Sequence, residues 1–224
     1  MRKLSVGFLA IVLAFSFTSC STSESDFETP NSPLLEEVML QRDASGAYFV
    51  DYKVADNTVS DVRKDFNSLT NEISLSKVTH DTKDQYRNNF TLDNNKLRIG
   101  FFDNESGKKM NITVEDENIT FAKGSVTKFL KEYSMSTNAN GSFQLDFKVN
   151  SNVKTEFTYN EDLAAYEVHL SNGTSSKNTF SRTLDVPDSG VLKLDFVNHK
   201  LLGKGLVSSE TREPVIIIDT GTGN

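Results

Sequence analysis

One offset organises this chain. Shifted by 95 positions, residues 43–57 fall on residues 138–152. Ala44, Gly46, Asp51, Lys53, Val54 and Asn57 then meet identical residues, six of the fifteen. Tyr48 and Tyr52 meet Phe143 and Phe147, and Val50 meets Leu145. Without a gap, the same offset lays Leu35 and Glu37 on Leu130 and Glu132, residues 72–76 on 167–171, and 97–101 on 192–196. Constant self-similarity from Leu35 to Phe101 marks a duplicated unit. The fold must therefore be one that about 95 residues can make and then make again.

The unit reads as β. Phe143, Leu145, Phe147 and Val149 alternate with Gln144, Asp146 and Lys148, and Tyr48, Val50, Tyr52 and Val54 repeat that period of two. Tyr166, Val168 and Leu170 form another alternating run. Gly46 and Gly141 sit in turns opening a strand, where φ > 0 suits glycine, and residues 93–95 and 187–190 are further turns. The copies diverge most at 58–71 and 78–91, which should be loops or exposed strands. Residues 59–69 carry the one weak helical pattern, and their counterpart reads as strand. Some seven short strands per copy point to an all-β chain of two tandem antiparallel Ig-like sandwiches. The expected boundaries are 33–124 and 125–220, with 221–224 a disordered tail. The alternative is one continuous sandwich or barrel built from both copies.

The start of the chain stands apart. Arg2 and Lys3 precede an apolar run over residues 4–17, broken only by Ser5, Gly7 and Ser16. That suits a signal-peptide core over 1–19 and is short of the roughly 20 residues a bilayer span takes. The run ends Phe17-Thr18-Ser19-Cys20, and Cys20 is the single Cys of the chain. Small residues before a lone Cys resemble the lipobox of bacterial lipoproteins, with Phe17 where that family usually has Leu. The resemblance implies cleavage before Cys20 and palmitate-type acylation of its thiol and new amino group. The ordinary alternative is secretion with cleavage after Thr18. Residues 20–32 are polar and acidic and read as a flexible tether. Glu24, Asp26 and Glu28 resemble the export signal of surface lipoproteins in Bacteroidota. That implies an outer-membrane lipoprotein exposed at the cell surface.

Composition removes several classes of function. With 24 Lys+Arg against 31 Asp+Glu, the net charge is -7, the wrong sign for a phosphate-backbone footprint, so no nucleic-acid partner is expected. One Cys excludes an internal disulfide and a thiolate zinc site. His80, His169 and His199 have no ligand at metal spacing and read as surface histidines. Residues 93–95, 103–105 and 115–117 are oxygen-rich and read as solvated turns rather than Ca²⁺ loops. No nucleophile elbow, P-loop, HExxH or dinucleotide fingerprint occurs, so no catalytic residue, metal or cofactor is expected, and the chain reads as a non-enzyme. Trp is absent. Most Phe and Tyr fall in the apolar phase of strands, leaving Tyr86, Phe90, Tyr133 and Tyr159 as candidate ligand platforms. The sequence thus points to a lipid-anchored binding module. Its membrane partner is the bilayer through Cys20, and its other partner an envelope protein or a surface ligand. The second expectation is an accessory glycan-binding lipoprotein of a polysaccharide-uptake system.

Overall fold

The computed structural model describes residues 33–116, 129–202 and 207–222, the side chains of 200–202 and 207–209 excepted. Among these residues every regular element is a strand. The first copy supplies β1 (Leu35–Arg42), β2 (Tyr48–Val54), β3 (Thr58–Asp65), β4 (Thr70–Lys77), β5 (Gln85–Phe90), β6 (Lys96–Asp103) and β7 (Lys109–Glu115). The second supplies β8 (Leu130–Thr137), β9 (Phe143–Val149), β10 (Val153–Asn160), β11 (Ala165–Asn172), β12 (Thr179–Leu184), β13 (Val191–Leu202) and β14 (Val207–Asp219). The expected seven strands per copy are there. The weak helical pattern at 59–69 is most of β3, an edge strand, and the turn that follows it.

The duplication extends to the backbone. Left-handed residues recur at the same offset: Gly46 and Gly141, Asn57 and Asn152, Leu69 and Ala164, Asn95 and Gly190. Leu69 and Ala164 hold φ of 55° and 46°, a region that costs an L side chain energy. Finding both at equivalent positions means that the turn dictates the conformation.

Each copy gives three strands to one sheet and four to another. The six-stranded sheet runs β12-β9-β8-β1-β2-β5, and the eight-stranded sheet β10-β11-β13-β14-β7-β6-β4-β3. Both sheets therefore pass through both copies, joined by the antiparallel pairs β1–β8 and β7–β14. A pseudo-two-fold axis follows from the register. Leu40 faces Met135, 95 positions on, so that pair is its own image. Lys96 faces Glu115 and Val191 faces Asp219, which makes Glu115 and Asp219 equivalent at an offset of 219 less 115, or 104. At that offset the pair Thr113–Ile217 is likewise its own image.

The two sheets pack face to face over one apolar core. In the first copy Tyr52 stacks on Tyr86 (5.2 Å, 7°) and meets Phe101 of the other sheet edge-on (5.2 Å, 78°). In the second, Phe147 stacks on Phe180 (5.1 Å, 16°) and meets Phe196 edge-on (5.7 Å, 79°). Tyr52 and Phe147 are buried as their strand phase requires, and Asp51 and Asp146 point away from the core.

This architecture corrects the expectation of two tandem Ig-like sandwiches. Residues 32–224 form one compact unit, and pairing across the copies in both sheets makes them halves of one sandwich. The sheets are not wholly antiparallel either: β4–β6 and β11–β13 are parallel, because β5 and β12 cross to the other sheet between them. An Ig domain has no such parallel inner pair. The expected junction at 124–125 lies outside the described residues. Of the expected tail 221–224, Gly221 and Thr222 are placed, with Gly221 N–H donating to Asp219 Oδ1 at 2.9 Å. Residues 223–224 are outside the description.

Candidate functional site

The outer face of the six-stranded sheet carries two open grooves. The first, about 440 Å³, is lined by Glu37, Met39, Asp51, Lys53, Arg87 and Ser136 among others. The second, about 280 Å³, is lined by Gln41, Glu132, Ser134, Asp146, Lys148 and Thr179 among others. The pseudo-two-fold axis exchanges them. Glu37, Asp51 and Lys53 recur as Glu132, Asp146 and Lys148, and Ser136 of one groove answers Gln41 of the other. In both copies the Glu stands opposite the Lys across the strand pair, Glu37 on Lys53 and Glu132 on Lys148. Lys53 reaches Glu36 at 2.8 Å, whereas Lys148 lies 3.7 Å from Glu132. Arg87 lies 3.6 Å from Asp51, and Ser181 donates to Asp146 at 2.6 Å.

The outer face of the eight-stranded sheet differs between the copies. In the second, Arg212 donates to Glu167 Oε1 at 2.6 Å and to Asp195 Oδ2 at 3.0 Å, and also reaches Glu210 at 3.0 Å. Asn160 donates to the same Glu167 oxygen at 3.0 Å. The other oxygen, Oε2, lies 3.0 Å from His169 Nε2, and His169 Nδ1 lies 2.8 Å from His199 Nε2. The imidazoles meet edge to edge, their planes 16° apart. Because a carboxylate only accepts, Nε2 of His169 carries the proton and, in the neutral ring, Nδ1 accepts from His199. Burial raises the Glu167 pKa, but the bonds from Arg212, Asn160 and His169 outweigh it and hold the carboxyl below its ordinary value. The first copy has Glu72, Ser74, Gly100 and Asn104 at the positions of Glu167, His169, Asp195 and His199. There Asn104 simply donates to Ser76.

A third polar group is buried at the seam. Arg42 Nε donates to Asp116 Oδ2 at 2.9 Å, and the Tyr48 hydroxyl donates to the same oxygen at 2.8 Å. Asp103 is buried as well: its Oδ2 accepts from Leu34 N–H at 3.0 Å and its Oδ1 from Glu105 and Ser106 N–H. Asp103 and Asp116 are thus not the solvated turn residues that their oxygen-rich neighbourhoods suggested. Each completes backbone or guanidinium donors inside the fold. Asn94 and Asn95 do form an exposed turn, while Asp93 beside them is half-buried and pairs with Lys64 at 2.7 Å.

The histidines also need revision. His199 lies within β13 and is more than a surface histidine, since it joins His169 across the parallel pair β11–β13. His80 lies in an exposed loop, as expected. Among the described residues no three His, Cys, Asp or Glu side chains are grouped to hold a metal ion.

The structure separates the four aromatic candidates. Tyr133 is 2% exposed and belongs to the core, which removes it as a platform. Phe90 packs against the core. Tyr86 has one face on Tyr52 and Lys83 Nζ 4.3 Å from its ring centre, so neither face is open. Tyr159 is 46% exposed, with its ring edge-on to Tyr166 at 5.0 Å. Cys20, Glu24, Asp26 and Glu28, with the expected signal peptide and tether, lie outside the described residues. No described helix is long and apolar enough to cross a membrane. Comparison with protein-family models, with curated proteins and with solved structures returned no match.

Proposed function

We propose that this chain is a lipid-anchored outer-membrane lipoprotein, exposed at the cell surface, whose β unit is a non-enzymatic binding module. The observation that carries the reading is the lone Cys20, placed directly after a charged start and an apolar run and a short acidic stretch ahead of the compact unit. A Cys acylated more than once anchors firmly, since each buried methylene contributes about 0.8 kcal/mol. In the most developed polar cluster, His169 is not placed to act as a general base. Both ring nitrogens of His169 are engaged internally, by Glu167 and His199, and the carboxylates beside them are tied to Arg212. A general base needs a free nitrogen aimed at substrate.

The test is cellular fractionation with acyl-chain labelling. Wild type should label with a palmitate analogue and sediment with the outer membrane. Cys20→Ala should lose the label and leave the membrane fraction. A Cys20→Ala protein that remains processed and membrane-bound would refute the anchor. Replacing Glu24, Asp26 and Glu28 together by neutral residues should abolish proteinase access on whole cells. Unchanged access would remove the surface signal.

A further inference from the structure

The eight-stranded sheet ends in two equivalent strands, β3 of the first copy and β10 of the second, and the copies treat these edges differently. The side chains of β3 close it to further pairing. Lys64 lies in the inward phase and is held by Asp93 at 2.7 Å, and an inward charge on an edge strand opposes the addition of another strand. The hydroxyls of Ser60 and Tyr52 bond to one another at 2.6 Å. On β10, Tyr159 stands where Lys64 does and is exposed. Thr155 stands where Ser60 does, but Phe147 has replaced Tyr52, and the buried Thr155 Oγ1 has no hydrogen-bond partner among the described residues. A buried hydroxyl left unpaired is costly, and such groups are few in folded proteins.

The backbone of β10 is set for a partner strand. Gly173 N–H donates to Asn152 O at 2.9 Å, and from there the register of β10 on β11 is unbroken to Asn160. Antiparallel alternation then turns the N–H and C=O of Lys154, Glu156 and Thr158 toward β11, and those of Val153, Thr155, Phe157 and Tyr159 toward the open edge. On the outward face Lys154 and Glu156 are exposed and make no ion pair among the described residues. We propose that this edge pairs with itself: two molecules of this chain join β10 to β10, antiparallel about a two-fold axis at Thr155, into one continuous sheet. Two-fold pairing within a sheet sets each residue opposite one of the same face. Centred on Lys154 or on Glu156, it would set like charge on like. Centred on Phe157, it would leave both charges facing neutral residues. Centred on Thr155, Lys154 faces Glu156 of the partner molecule and Glu156 faces its Lys154, while Val153 faces Phe157 in the apolar layer. Opposite charges directly across a strand pair attract, and like charges repel. Thr155 then exchanges both backbone bonds with Thr155 of the partner molecule, which brings a hydroxyl to the unpartnered Oγ1. Pairing at this edge does not depend on acylation of Cys20.

The experiment uses the full-length protein. Sedimentation in density-matched detergent reads the dimer for wild type, Lys154→Glu, Glu156→Lys and the variant carrying both exchanges, with melting curves to confirm folding. Wild type should be dimeric. Each single exchange sets like charges opposite one another at two places and should weaken the dimer about tenfold or more. Both exchanges together restore opposite charges and should restore the dimer. In cell membranes under mild oxidation, Thr155→Cys should form a disulfide-linked dimer, because facing residues of a hydrogen-bonded pair stand about 5.5 Å apart at Cα, within disulfide reach. Tyr159→Cys, on the same strand but far from its own image, and Ser60→Cys, on the closed edge, should not. The proposal is overturned by a monomeric wild type, by single charge variants as dimeric as wild type, or by a double exchange that stays monomeric. It is equally overturned if Tyr159→Cys or Ser60→Cys forms the dimer as readily as Thr155→Cys. Attachment of Thr155→Cys to a different envelope protein would overturn it too, by showing that the edge takes another chain.

Discussion

The two ends of the seam between the copies occupy equivalent backbone and hold different chemistry. At one end Arg42, Asp116 and Tyr48 form a buried ionic group. At the other, the equivalent positions are Thr137, Thr220 and Phe143. The equivalence is fixed by backbone bonds: Asp116 N–H donates to Asn95 O, and Thr220 N–H to Gly190 O, each at 3.0 Å. Thr137 Oγ1 accepts from Val38 N–H and Thr220 Oγ1 donates to Gly190 O, so two hydroxyls complete the local backbone where the other end uses two charges. The same seam closes either way. Strand pairing and the apolar layer therefore hold the copies together, and the ion pair is one solution to a local demand rather than the source of the contact. A buried pair is costly to break and often neutral to replace.

The largest effect should come from breaking that pair on one side. Asp116→Ala leaves the Arg42 guanidinium buried without this acceptor and should lower the unfolding free energy by about 3–5 kcal/mol in urea denaturation. Thr220→Ala, at the equivalent position, should cost about 1 kcal/mol. Installing the second copy's residues, Arg42→Thr with Tyr48→Phe and Asp116→Thr, should recover most of the loss. A triple variant as unstable as Asp116→Ala would show that the two ends are not interchangeable.

A second contrast lies at Asp103 and its equivalent Asn198. Burial raises the pKa of the Asp103 carboxyl, but the N–H donors of Leu34, Ser106 and Glu105 outweigh it and hold it below the ordinary range. A depressed carboxylate contributes stability above its unfolded value, about 3.9, and loses it as pH falls toward the folded value. Stability should accordingly drop below about pH 4. Asn198 instead donates through its amide, to Glu213 O at 2.9 Å, and it does not titrate. Asp103→Asn should be less stable than wild type at neutral pH and should flatten the acid limb of the pH profile. An acid limb unchanged by this substitution would mean that other carboxylates set it.

Smaller effects should come from the outer faces. His199→Asn, which installs the first copy's residue, removes one partly exposed hydrogen bond and should cost no more than about 1 kcal/mol. Lys148→Ala, on the wet side of β9, should stay within about 0.5 kcal/mol. A loss of several kcal/mol from either, measured by thermal melting, would mean that these faces are part of the scaffold.

The sequence carried the duplication, the strand count and the inward phase of residues such as Tyr52 and Phe147. It could not carry the joining of the copies, because alternation reports which side of a strand is wet, not which strand lies beside it. The buried charges left a signal that residue type masked. Arg42 continues the inward phase of Val38 and Leu40, and Asp116 that of Ile112 and Val114. Reading phase before polarity would have placed both inside. Tyr133 escaped for a different reason: a register shift between Leu130 and Glu132 breaks the alternation just ahead of it. The His169–His199 contact joins residues 30 positions apart through a parallel pair, which no local pattern encodes.

Native-state amide exchange on Phe147→Ala tests most directly whether the copies are one cooperative body. Phe147 packs on Phe180 and Phe196 within the second copy, and its truncation should cost about 3–5 kcal/mol. With both sheets continuous through β1–β8 and β7–β14, that loss should reach the most protected amides of β1, β2, β6 and β7 as fully as those of β8, β9, β13 and β14. Undiminished protection over the first copy, with loss confined to the second, would contradict the single sandwich and restore two independent domains.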